Sequence, residues 1–181
     1  MKILKKTVAM LLLVAVLFTA IGVIYYLYPL KYTSDIRDCS EEMGVDPHLV
    51  AALVKAESNF DRDAQSGAGA KGVMQLTDET AKFCADKLGI ELKDGDIYNP
   101  DINIRLGVYY LKRTLELFDG DVTLAVAAYN AGEGRVREWL NDKRYSSDGK
   151  TLHTIPYEET KNHIEKIQTY QKVYKILYPN L

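Results

Sequence analysis

The sequence predicts a mostly α-helical domain standing behind one N-terminal transmembrane helix. Three observations carry that expectation. Thr7 to Tyr28 is a 22-residue run without a charged residue. From residue 31 onward, apolar residues recur at helical spacing and no stretch alternates like a strand. Helix start and stop signals punctuate this second part: Asp-Pro, Asn-Pro, Thr or Asp before apolar runs, and Gly after several of them.

The elements follow in order. Lys2, Lys5 and Lys6 precede the apolar run, which as a helix covers roughly 33 Å, enough for the bilayer hydrocarbon. A secretory signal has a shorter apolar region ending in a small-x-small cleavage site. This run instead ends in Ile24, Tyr25, Tyr26 and Tyr28, in the manner of an interfacial aromatic belt. Residues 1–30 are therefore expected to form a cytoplasmic stub and an uncleaved signal-anchor. The lysines keep the N-terminus inside, and residues 31–181 lie outside the cytoplasm. A cleaved leader would make the same domain secreted.

In the outer part, Ser34 or Asp35 starts a short helix ending near Gly44. Asp46 caps the next, with Pro47 at its first position and HLVAALVKAES continuing it. Thr77 caps a helix to about Leu88, with Gly89 just past its end. Asn99-Pro100 opens a long amphipathic helix to about Phe118, with Ile104, Val108, Leu111, Leu115 and Phe118 at helical spacing. Asp121 caps one through Ala131, and Arg135 to Leu140 forms another. The last helix follows Pro156 and carries Ile164, Ile167, Val173, Ile176 and Leu177 on its apolar side. Ser66 to Leu76 reads as a small hairpin or irregular loop, and Lys143 to Thr151 as a flexible insert.

Composition narrows the function. With 47% hydrophobic and 27% charged residues among 181, the chain is neither disordered nor fibrous. Its net charge is -2. Without the three N-terminal lysines the outer part holds 20 basic and 25 acidic groups, a net of -5. A nucleic-acid binder needs a basic face, so nucleic acid is excluded as a partner. Thirteen tyrosines against four Phe and one Trp suit carbohydrate contact as well as core-edge packing. Cys39 and Cys84 permit one disulfide in an oxidising compartment, or stand as two buried thiols. His48, His153 and His163 are widely separated and join no Cys cluster, so neither a metal nor a cofactor is expected.

Glu57 is the residue that calls for chemistry. It ends the apolar run LVAALVKAE, and its spacing from Val50, Leu53 and Val54 places it near the buried face. Apolar neighbours and the negative end of the helix dipole both disfavour a carboxylate there. Both favour the protonated form that a general acid requires. Two later stretches offer ligand-binding groups. The small, Gly-rich segment Ser66 to Leu76 contains Met74 and Gln75. Ala127 to Val136 contains Tyr129 and Asn130. Small residues let the backbone approach a ligand, and the polar ones supply hydrogen bonds.

In combination and order, AALVKAESNF, SGAGAKGVMQL, NPDINIRLGVYYL, AVAAYNAGEGRVREWL and IPYEETKNHIEKI resemble the soluble lytic transglycosylases, which cleave peptidoglycan. The resemblance runs from about Asp46 to Tyr174. It implies a lysozyme-like fold, with Glu57 matching the catalytic Glu of a Glu-Ser motif. Ser66 matches the serine before the Gly-Ala segment, and Met74 and Gln75 match groove residues. Tyr129 and Asn130 match an Ala-Tyr-Asn site, with Tyr129 near the catalytic carboxyl. Glu159 matches the Glu of a Glu-Thr-Arg-x-Tyr element, where this chain departs by having Lys161 for the Arg and His163 for the Tyr.

The resemblance also implies the reaction. Glu57 would protonate the β-1,4 oxygen between N-acetylmuramic acid and N-acetylglucosamine, then remove the proton of the same muramyl 6-hydroxyl as a 1,6-anhydro ring closes. An ordinary glycosidase needs two carboxyls, and no Asp or Glu lies between Asp63 and Asp78. Asp61 and Asp63 read as solvated turn acids. Expected partners are glycan strands and, through the N-terminal helix, the cytoplasmic membrane. A lysozyme-type hydrolase, a non-catalytic peptidoglycan-binding protein and a subunit of an envelope-spanning machine remain open alternatives.

Overall fold

The computed structural model describes residues 2–181, and these form two compact units. The first ends at Leu30 and is one helix, α1 (Lys2–Leu27). Within it, Lys5–Leu27 is long and apolar enough to cross a membrane, with a mean hydropathy of 2.7. Its large apolar side chains from Met10 to Leu27 are exposed.

The second unit, Lys31–Leu181, contains α2 (Thr33–Met43), α3 (Pro47–Ser58), α4 (Asp78–Leu88), α5 (Pro100–Leu117), α6 (Val122–Ala131), α7 (Glu133–Asn141) and α8 (Glu158–Leu177). No strand occurs among the described residues; two isolated β-bridges, Gln65 with Lys71 and Lys71 with Leu76, fold the glycine-rich loop. Helices α4, α5 and α6 begin where capping residues occur. Thr77 accepts from the Thr80 amide, Asn99 from the Asp101 amide, and Asp121 from the Leu124 amide. Gly44 and Gly89 end α2 and α4 with left-handed backbones that cost glycine nothing.

The Asp46 cap does more than start a helix. One carboxylate oxygen accepts from the His48 amide at 2.8 Å. The other takes Gln171 Nε2 at 2.9 Å and Lys175 Nζ at 2.7 Å. Burial opposes the charge on Asp46. Hydrogen bonds from Lys175 and the His48 amide nevertheless hold its carboxyl below the ordinary range. The start of α3 is thereby fastened to the end of α8.

The core lies where α3 runs along α8 and where α5 meets α2, α4 and α6. Leu49 to Val54 of α3 and Ile164, Ile167 and Tyr174 of α8 are buried together with Phe60. Helix α6 is apolar nearly all round. Its Ala125, Ala127 and Ala128 are fully buried, and their small side chains let α5, α7 and α8 approach closely.

Two local expectations change, and one open alternative, that of the cysteines, is decided. Helix α7 starts at Glu133, two residues before Arg135, because Gly132 (φ +87°) breaks the chain after α6. Glu133 then sits in the first turn, where a carboxylate suits the dipole, and pairs with Arg113. The Lys143 to Thr151 insert is folded upon itself rather than open. Asp148 accepts from the Lys150 and Thr151 amides and the Thr151 and Ser146 hydroxyls, which hold its carboxyl far below the usual range. Cys39 and Cys84 form no disulfide. Burial pushes their thiols up to about 11 and about 12, so neither is a nucleophile at neutral pH.

Candidate active site

The loop between α3 and α4 builds one wall of a cleft, and the reason is a joint with α5. Asn103 of α5 is fully buried and accepts from the Met74 amide at 2.8 Å. Its Nδ2 donates to the Ile97 carbonyl at 2.8 Å and the Lys71 carbonyl at 3.2 Å. Gly72 (φ +74°) passes so close that a Cβ there would lie 2.5 Å from Asn103 Nδ2. One turn beyond Asn103, a Cβ on Gly107 would lie 2.3 Å from the Met74 sulfur. Only glycine permits these approaches.

Inside the loop, the Ser66 amide bonds the Ala70 carbonyl at 2.9 Å and Ser66 Oγ accepts from the Ala70 amide at 3.0 Å. Gln75 has a left-handed backbone, φ +49°. Its Nε2 donates to the Ala64 and Gly72 carbonyls, both at 3.0 Å, and so holds that unusual conformation. Ser58 Oγ reaches across to the Val73 carbonyl at 2.7 Å and ties the end of α3 to the same loop.

The result is a cleft of about 480 Å³ lined by Glu57, Ser66, Gln75, Tyr129, Asn130 and Glu159, among others. Six of the seven residues expected at the site meet there, drawn from α3, the loop, α6 and α8. Met74 is the correction. It is fully buried against Gly107 and does not line the cleft; its contribution is a carbonyl that accepts from the Tyr129 hydroxyl at 2.9 Å.

Glu57 lies in the last turn of α3, 14% exposed, with Oε1 3.1 Å from Nε2 of His163. Burial of the Tyr129 hydroxyl, and secondarily the nearby Glu57 charge, push it well above the ordinary phenol range. Tyr129 thus remains a hydrogen-bond donor and is unfit as a base. Asn130 Oδ1 accepts from Thr160 Oγ1 at 2.7 Å, which joins the end of α6 to the first turn of α8. That link sets Glu159, an exposed side chain, at the rim.

Glu57 and Glu159 are the carboxylates among the described residues lining the cleft. Asp61 and Asp63 are exposed on a turn where Asp61 Oδ1 accepts from the Asp63 amide at 3.0 Å, and neither lines it. Sequence reasoning missed Asn103 and Thr160, and it did not bring His163 to Glu57. A trace of Asn103 itself, though not of its partner, was present: Asn103 and Gly107 stand one turn apart beside Ile104 and Val108 of the apolar stripe.

A helical domain that sets a shielded glutamate in a groove, behind a glycine-rich loop, has known counterparts. The chain belongs to the transglycosylase SLT domain family, which matches residues 35–152. The soluble lytic murein transglycosylase of Escherichia coli K12 is 28% identical over 151 residues, covering 82% of this chain and 23% of that protein. The membrane-bound lytic murein transglycosylase C of Cronobacter sakazakii is 30% identical over 169 residues, covering 80% of this chain and 46% of that protein. Among solved structures, an inactive glutamate-to-glutamine mutant of the lytic transglycosylase Slt from Pseudomonas aeruginosa is 37% identical. It superposes with a TM-score of 0.75 over 82% of this chain and 24% of that one. The second unit therefore has the mostly α, lysozyme-like architecture of this family. The chain spans about a quarter of the length of the soluble relatives.

Proposed function

We propose that residues 31–181 cleave peptidoglycan glycan strands as a lytic transglycosylase, with Glu57 as the single acid and base. The observation that carries this reading is one shielded carboxyl in the cleft wall, with the other cleft carboxylate, Glu159, exposed on a different helix. Glu57 donates its proton to the glycosidic oxygen as the bond to the muramyl C1 breaks, and the leaving N-acetylglucosamine takes that proton. The muramyl N-acetyl oxygen stabilises the developing cation. The Glu57 carboxylate then removes the 6-hydroxyl proton as O6 bonds to C1. The acid is regenerated and no water is consumed. Ser66, Gln75, Tyr129, Asn130 and Glu159 shape and line the groove that holds the sugars. Helix α1 anchors the domain in the cytoplasmic membrane, with the N-terminus inside and the domain outside. The membrane-bound relative and the span of Lys5–Leu27 support membrane association, and the orientation rests on Lys2, Lys5 and Lys6 before the span.

Mass analysis of muropeptides released by the protein tests the reaction. The expected products carry 1,6-anhydromuramyl ends, lighter by one water than hydrolytic products. Asp61→Asn and Asp63→Asn retain most activity, singly and together. Glu159→Gln slows cleavage but still yields anhydro products. Water-containing ends, with loss of activity in any of these three variants, would favour a two-carboxylate hydrolase.

Tyr129→Phe is expected to keep the fold and lower cleavage roughly ten- to a thousand-fold, the size of one or two hydrogen bonds at the transition state. It removes a hydroxyl held by the Met74 carbonyl and close enough to feel the Glu57 charge. Equal rates for this variant and the wild type would mean that the ring alone serves the cleft.

A further inference from the structure

His163 stands where the family resemblance puts a tyrosine, and the structure sets it against Glu57. Its Nε2 lies 3.1 Å from Glu57 Oε1, with side chains 12% and 14% exposed. That nitrogen is buried and makes no aligned hydrogen bond to any group among the described residues. The Glu57 contact has the length of a hydrogen bond but not its angles, and a small rotation of either side chain completes it. A buried ring nitrogen requires a partner, and the carboxyl is the group in place.

We propose that His163 is a positioning residue that shares a proton with Glu57, so that the pair keeps its last proton to a higher pH than a lone carboxyl would. The proposal rests on Glu57 being the acid. Nε2 of a neutral imidazole either accepts from a protonated carboxyl or donates to an ionised one, according to tautomer. A protonated imidazole donates to the carboxylate. The one-proton pair therefore exists in two forms, with the proton on oxygen or on nitrogen, and it loses that proton as a unit. An imidazole titrates near neutral pH and a phenol does not, so a tyrosine here could not store the proton.

The proton balance is closed. The proton reaches Glu57, either already on oxygen or from Nε2. It passes to the glycosidic oxygen as that bond breaks. The 6-hydroxyl proton then returns to the Glu57 carboxylate as the O6–C1 bond forms, and the pair again holds one proton.

The other titratable groups nearby do not substitute for His163. From α6, Tyr129 faces the cleft, and burial holds its hydroxyl neutral. Tyr110 of α5 is likewise pushed up by burial. Glu159, one turn earlier on α8, lines the same cleft. Lys55 of α3 and Lys166 of α8 lie close enough to repel each other, and Lys55 sits over the Tyr170 ring.

The test is the pH profile of kcat/KM for wild type, His163→Gln and His163→Tyr, with melting followed over the same range. The alkaline limb is expected to move to lower pH by about one unit or more in both variants. Below both limbs, the rates stay within about tenfold of wild type. His163→Tyr supplies a hydroxyl and recovers any rate lost through packing, but it does not return the limb. A uniform loss with the limb unmoved would show a structural role only and overturn the proposal. Should His163→Gln fail to fold, His163→Tyr alone decides. Glu57→Gln, measured alongside, separates the two readings. If it stays active, the acid assignment fails. If it is inactive and the limb is unmoved in the His163 variants, only the shared proton fails.

Discussion

Glu57→Gln should leave the domain folded and lower glycan cleavage by about a thousandfold or more. An amide cannot donate the proton that starts bond breaking, and it cannot take the 6-hydroxyl proton that ends the reaction. General acid–base contributions run to roughly 10²–10⁴-fold, or about 3–5 kcal/mol of barrier at 1.36 kcal/mol per decade. In the proposed mechanism one side chain serves both steps, so the upper part of that range applies. The fold survives because the amide is nearly isosteric, and the residue ends α3 instead of filling the core. Its ion-pair partner His163 can face either end of the amide. Muropeptide release measures the activity and thermal melting measures the fold. Wild-type clearing of cell walls by this variant would remove Glu57 from the mechanism.

Much of this arrangement was legible in the chain because it is encoded locally. The Asp46-Pro47 and Asn99-Pro100 starts and the Thr77 and Asp121 caps act within three residues, and each helix begins there. Glu57 was legible for the same reason, since one apolar run and one helix end define its surroundings. Contacts between distant residues were not. Asn103 meets Met74 across 29 residues, and His163 meets Glu57 across more than a hundred. Neither pairing leaves a periodic trace. Met74 shows the difference at a single residue. Its place in a Gly-x-Met-Gln segment suggested a groove side chain, yet the bare Gly107 on α5 gives a thioether a better site inside. The start of α7 was misplaced because two helices meet at Gly132 with no capping side chain to mark the second.

The joint at Asn103 gives the second large expected effect. Asn103→Ala removes one acceptor and both donors of the amide. The Met74 N–H is left unpaired in the interior, and the part-buried Lys71 and Ile97 carbonyls lose their donor. An unsatisfied buried polar group costs about 1–3 kcal/mol. Partial relaxation of the two carbonyls leaves an expected loss of about 3–5 kcal/mol, a large fraction of the roughly 5–15 kcal/mol that holds a domain together. Activity should fall further than the folded fraction does. The loop that loses its anchor carries Ser66 and Gln75 and supplies the Met74 carbonyl that holds Tyr129. Denaturant melts give the stability, and cleavage measured well below the melting temperature gives the local effect. Asn103→Asp should not rescue either one. It keeps an acceptor for the Met74 amide but turns a carboxylate oxygen toward two carbonyls. A loss below about 1 kcal/mol for Asn103→Ala, with unchanged cleavage, would mean that close packing at Gly72 and Gly107 holds the loop without the amide. In that event Gly107→Ala, which drives a methyl into the Met74 side chain, would be the substitution that displaces the wall of the cleft.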